Sequence, residues 1–118
     1  MFKIKRFRQI VMKYDNIYSN RPEIIKQDTD YYIFDLKNLI KDVNLQLEYA
    51  SSFLEKICNI EANLSIKPKN VLRKFIQNIV DWFYDKILYY IEELGSCRSR
   101  FIGFKLRAEQ VKIFHDNF

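Results

Sequence analysis

Apolar side chains recur through most of this chain at alternating intervals of three and four, which is the spacing of one face of an α-helix. Near the N-terminus Phe7, Ile10, Val11, Tyr14, Ile17 and Tyr18 follow it, predicting a first helix from about Lys3 to Tyr18. The stretch SNRPE then interrupts the pattern. Ser19 or Asn20 suits a cap, and Pro22 suits a first turn, where its missing N–H costs nothing.

The second segment is the most regular. Ile33, Leu36, Ile40, Val43, Leu47, Ala50, Leu54 and Ile57 are spaced 3, 4, 3, 4, 3, 4, 3, a heptad seam. Thr29 or Asp30 offers it a cap, and the pattern leaves open whether Pro22 to Asp28 extends this helix or forms a separate turn. Pro68 disfavours helical geometry at the residue before it, so a third helix is expected from about Pro68 to Leu94. Its core face would be Leu72, Phe75, Ile76, Ile79, Val80, Phe83, Ile87, Tyr90, Ile91 and Leu94. Gly95 stands where a left-handed C-terminal cap would go. A fourth helix would take the rest, with Phe101, Phe104, Ala108, Val111, His115 and Phe118 inward. Short connections favour antiparallel neighbours. The expectation is a single all-α domain over residues 1–118, a four-helix bundle running up-down-up-down with helix 3 the most apolar.

Composition supports helices over sheet. Gly and Pro occur only twice each in 118 residues, too few for the tight turns of a sheet-rich fold. A hydrophobic fraction of 48% at this length is enough to build a core without metal or disulfide. Ile, Lys, Asn, Tyr and Phe abound while Ala occurs only at Ala50, Ala62 and Ala108, a bias of A/T-rich coding that suits a viral or phage accessory factor. Cys58 and Cys97 would lie about a helix length apart in the bundle, so two reduced thiols in a cytoplasmic setting are expected rather than a disulfide. The apolar residues of MFKIKRFRQIVMKY are interleaved with basic ones, so no secretory leader is expected, and no run of about 18 apolar residues suggests a membrane span.

The stretch NIVDWFYDKILYYI, residues 78–91, is apolar nearly all round. Besides its core stripe it carries Trp82, Tyr84, Leu88 and Tyr89, more apolar surface than three neighbours in a bundle would cover. Large exposed apolar patches are rare on monomers. These four residues are therefore the expected protein–protein interface, to another protein or to a second copy of the chain.

Charge changes the picture next. Net charge is +5, with seven basic and two acidic residues over 1–27, three and seven over 28–64, five and four over 65–97, and five and two over 98–118. Helices 1 and 4 would be neighbours in an up-down-up-down bundle. Lys3, Lys5, Arg6, Arg8 and Lys13 would then share a side with Arg98, Arg100, Lys105, Arg107 and Lys112. Such a side could contact nucleic-acid phosphates, which makes nucleic-acid binding the alternative function. No helix-turn-helix signature, zinc spacing or glycine-rich phosphate loop sharpens it.

Candidate chemistry is sparse. His115 is the one histidine and reads as a helix-end residue facing the negative end of the dipole. Asp81 and Asp85 share a helix face, but no Glu-x-x-His pair accompanies them as a di-metal bundle would need. The sequence therefore implies a binding protein and not an enzyme, with no cofactor, metal or small-molecule substrate.

Overall fold

The computed structural model describes residues 3–65 and 70–116, and over these the chain is all-α. Four helices follow in order: α1, Ile4–Asn20; α2, Glu23–Gln27; α3, Thr29–Ser65; and α4, Val71–Asp116. The expected helix start at Pro68, the residue Phe118 and the side chain of His115 lie outside what is described.

The molecule is a long antiparallel hairpin of α3 and α4, with α1 laid along one end. Its extents are 72 × 22 × 15 Å. α1 runs parallel to α4, since Arg8 meets Glu93, Asp15 meets Arg100 and Tyr18 meets Phe104. It runs antiparallel to α3, since Lys3 meets Asp42 and Tyr14 meets Asp35. The molecule thus has a three-helix half around α1 and a two-helix half beyond it.

Local signals explain the boundaries. Asp28 breaks the chain out of α2 with φ −148° and ψ 61°, and its Oδ1 then accepts the Tyr31 N–H at 3.4 Å, capping α3. The segment after Pro22 is therefore a separate short turn of helix. Asn70 caps α4 in the same way, accepting the Arg73 N–H at 2.7 Å.

The eight-residue seam of α3 is its inner face. Leu36, Val43, Ala50 and Ile57 are buried, and Ile33, Ile40, Leu47 and Leu54 pack beside them. The matching seam of α4 is Val80, Ile87, Leu94, Phe101 and Ala108, buried at every seventh residue. This seam overturns one expectation. Gly95 does not end a helix: α4 runs through it unbroken, and no glycine has positive φ. The bundle of four comparable helices with a turn at Gly95 is replaced by two long helices, a shorter one and a single-turn connector. The reason is energetic. A helical glycine costs only about 1 kcal/mol relative to alanine. Each fully buried Leu or Phe on either side contributes about 1.5–3 kcal/mol by keeping α4 pressed against α3.

This gives a prediction of opposite sign to the cap reading. A Cβ at Gly95 would meet no heavy atom within 4 Å. Gly95→Ala should therefore stabilise the protein by about 0.5–1 kcal/mol, read as a higher urea midpoint. A glycine in a left-handed cap would instead give a lower one.

Candidate functional site

A second seam runs beside the first, on the side of the hairpin that α1 occupies. On α3 it consists of Leu39, Gln46, Phe53 and Ile60, again at every seventh residue. Under α1, Leu39 and Gln46 are 8% and 9% exposed; beyond α1, Phe53 and Ile60 are 40% and 48% exposed. α4 repeats the contrast. Cys97 and Phe104 are buried beneath α1, while Phe83 on the same line is 40% exposed.

The cause is a length mismatch. α1 has 17 residues, about 25 Å at 1.5 Å per residue, whereas the 46 residues of α4 span about 69 Å. The foot of α1 is fixed by ion pairs from Lys3 to Asp42 (3.7 Å) and from Arg8 to Glu93 (Nε to Oε2, 2.9 Å). Past that point, among the described residues, the seam has no third helix. Leu72 and Phe75, expected in the core, are 66% and 62% exposed, and Ile79 is also open.

The four residues expected to form one interface are placed separately. Trp82 is 57% exposed on the shoulder of the open seam, with its ring 4.9 Å from that of Phe83 and the Lys86 ammonium above it. Tyr89 stands at the foot of α1, where Arg8 Nη2 donates to its hydroxyl oxygen at 2.6 Å. Tyr84 packs into the lower core with Ile57, Val80 and Ile87. Leu88 is six residues from Trp82, about a third of a turn round the helix, and lies away from the seam. Sequence reading missed Phe53 and Ile60. Their signal was present: each stands three residues after a seam position of α3.

The fold brings α1 and the end of α4 together, and of the expected basic side Arg100 and Arg107 line the groove between them, while Arg98 and Lys105 stand roughly 140–160° round α4 from Arg100, at about 100° per residue. Most of that side's charges are engaged. Arg100 pairs with Asp15, Lys105 with Glu109 (2.8 Å) and Lys112 with Asp30 (2.7 Å), in addition to Lys3 and Arg8 above. Arg100 also lies over the Phe104 ring and Arg107 over the Tyr18 ring. Lys5, Arg6 and Arg98 are exposed. Between α1 and α4 a groove of about 370 Å³ is lined by Asp15, Ser19, Ser99, Arg100 and Arg107. A larger concavity of about 600 Å³ is lined by α3 alone. Groups on successive turns of one helix do not converge on a ligand.

Polar groups inside the three-helix half hold helices together. Tyr14 donates its hydroxyl hydrogen to Asp35 Oδ2 at 2.5 Å, and Tyr18 donates to the Phe104 carbonyl at 2.8 Å. Burial pushes both phenols up, Tyr18 to about 12, and an ordinary base would not deprotonate them. Cys97 is buried and its thiol is pushed up chiefly by that burial, so it is a poor source of thiolate. Cys58 is exposed on α3. Among the described residues no group of three His, Cys, Asp or Glu could hold a metal ion, and no helix is long and apolar enough to cross a membrane.

Comparison with protein-family models, with curated proteins and with solved structures finds no match to the chain.

Proposed function

We propose that this chain is a non-catalytic interaction protein, and that helices from outside the molecule complete its bundle. The observation that carries this is the open seam: a heptad line buried under α1 continues with apolar residues where no helix among the described residues covers it. Heptad seams hold helices by inserting side chains into a facing helix. One left open at Phe53, Ile60, Phe75 and Phe83 is half of such a joint. Trp82 flanks it as a large, rigid anchor of the kind that dominates binding energy. In this reading the chain acts by occupying a macromolecular surface, and its A/T-rich coding suits a viral or phage factor working inside a host cell.

The groove between α1 and α4 favours a second reading, nucleic-acid binding through Arg100 and Arg107, with Ser19 and Ser99 beside them and the exposed Arg98 and the ion-paired Lys105 elsewhere on α4. Asp15 already neutralises Arg100, which weakens phosphate attraction there.

Salt separates the two. Apolar association should persist when salt rises tenfold and should be lost in Trp82→Glu. Phosphate binding should fall steeply with salt and be lost on changing Arg100 and Arg107 to Glu. Binding that follows the second pattern overturns the interaction-surface reading.

A further inference from the structure

We propose, on the reading that the open seam is an interaction surface, that its occupant is a second copy of this chain. The copy packs antiparallel about a two-fold axis, so that two two-helix halves close into one intermolecular four-helix bundle.

The shoulder of α4 shows how wide the occupant must be. Where the single helix α1 docks, that shoulder is Glu93, Ser96, Arg100 and Gly103, and Glu93 and Arg100 hold α1 through Arg8 and Asp15. Three heptads earlier the equivalent positions are Leu72, Phe75, Ile79 and Trp82, all exposed. A single docked helix leaves the shoulder wet and charged, as α1 does. A shoulder that is apolar throughout requires a broader partner, with two helices side by side. The two-helix half of this same chain has that width and carries an apolar seam of its own.

The area agrees. Phe53, Ile60, Leu72, Phe75, Trp82 and Phe83, with Ile79, offer roughly 700 Å² of exposed apolar surface if a fully exposed large side chain presents about 200 Å². A standard-size interface buries about 800 Å² on each partner. A two-fold interface uses one patch on both molecules, so no second patch is needed.

The position of α1 sets the direction. α1 stands on the same face as the open seam, just beyond it. Parallel copies would press α1 against α1 and hold the seams apart by about two helix diameters, roughly 20 Å. Antiparallel copies overlap only along their open halves, with the three-helix ends pointing outward.

The seam's charged neighbours are Lys56 on α3 and Lys86 on α4, both exposed. A second copy brings the same lysines, so added salt should leave association unchanged or tighten it. An acidic foreign helix would be weakened by salt.

The test is sedimentation equilibrium on the full chain from sub-micromolar to high-micromolar concentration, with acrylamide quenching of Trp82, the only tryptophan. The expected result is a species of twice 14.4 kDa that dissociates on dilution. Trp82 should be shielded in the dimer and open in the monomer, with one midpoint for both signals. Phe75→Glu and Trp82→Glu should keep their helical circular dichroism and weaken the dimer by about thirtyfold or more. A spin label on exposed Cys58, at the middle of the open half beside Ile57, should give one intermolecular distance of two to three helix diameters; a longer one overturns the antiparallel overlap. A monomer at every concentration with Trp82 open to quencher overturns the second-copy inference and leaves the surface for a foreign partner. A monomer with Trp82 shielded overturns both. A dimer that persists in both glutamate variants, or that dissociates with salt, also overturns the inference.

Discussion

Phe101→Ala should lower the unfolding free energy by about 3–5 kcal/mol, the range for deleting a fully buried phenylalanine. Domains of this kind are stable by only about 5–15 kcal/mol in total. Phe101 is fully buried, with Phe7 of α1 edge-on to its ring at 6.1 Å, and it shares a core with Leu36 of α3. All three helices meet at this ring. Deleting it leaves a cavity that none of them can close without pulling away from another. The matched control is Phe75→Ala. It removes the same atoms from a side chain that is 62% exposed, and it should shift the monomer's stability by no more than about 0.5 kcal/mol. Urea unfolding of both variants at a concentration where the chain is monomeric checks the pair. A Phe101→Ala cost below about 1.5 kcal/mol would mean that α1 does not dock where described.

Tyr14→Phe should cost about 1.5–3 kcal/mol, the usual worth of a hydrogen bond to a charged group. The Tyr14 ring is 2% exposed and stacks on Phe104 at 5.4 Å, so the phenylalanine ring fits the same space. Only the hydroxyl is lost, and with it the donor to Asp35. Tyr18→Phe should cost less, about 1 kcal/mol, because its acceptor is the neutral Phe104 carbonyl.

The same phenols contribute to the alkaline limit, together with Tyr32 and the Cys97 thiol. Folding raises the pKa of Tyr14 and Tyr18 above the ordinary tyrosine value of about 10, chiefly by burial. The unfolded chain therefore loses these protons at lower pH than the folded one. Their contribution is fully present below about pH 10 and is lost as pH rises through the folded values, about 12 for Tyr18. Stability measured by urea should begin to fall at about pH 8.5, where the Cys97 thiol ionises in the unfolded chain but is held up by burial in the folded one, and should fall more steeply above about 10. The fall should be shallower in the Tyr14→Phe, Tyr18→Phe double variant. An equal slope in that variant would place the alkaline sensitivity elsewhere.

How much of this was legible in advance depends on the kind of statement. The seam from Ile33 to Ile57 was readable because it is local: eight positions on one face of one helix predict that face to be buried whatever covers it. The expected break at Gly95 failed because glycine is a weak local signal, and a partner helix of 37 residues outweighed it. The open apolar surface was half legible. The excess of apolar residues over 78–91 was visible, and so was the expectation that some would stay uncovered. Trp82, Leu88 and Tyr89 are exposed as expected, but Tyr84 turned inward while Leu72 and Phe75, expected in the core, turned out.

The sequence by itself determined the all-α class, the start of α3 at Thr29 and the heptad line from Ile33 to Ile57. These follow from residue spacing, which fixes which side chains share a face. Tertiary structure alone decided that α1 lies along one half of the hairpin, that Arg8 and Arg100 are neutralised by Glu93 and Asp15, and that one seam stays open beyond it. Burial and ion pairing belong to two surfaces at once. A face read from spacing does not say how long its partner is or where that partner stops.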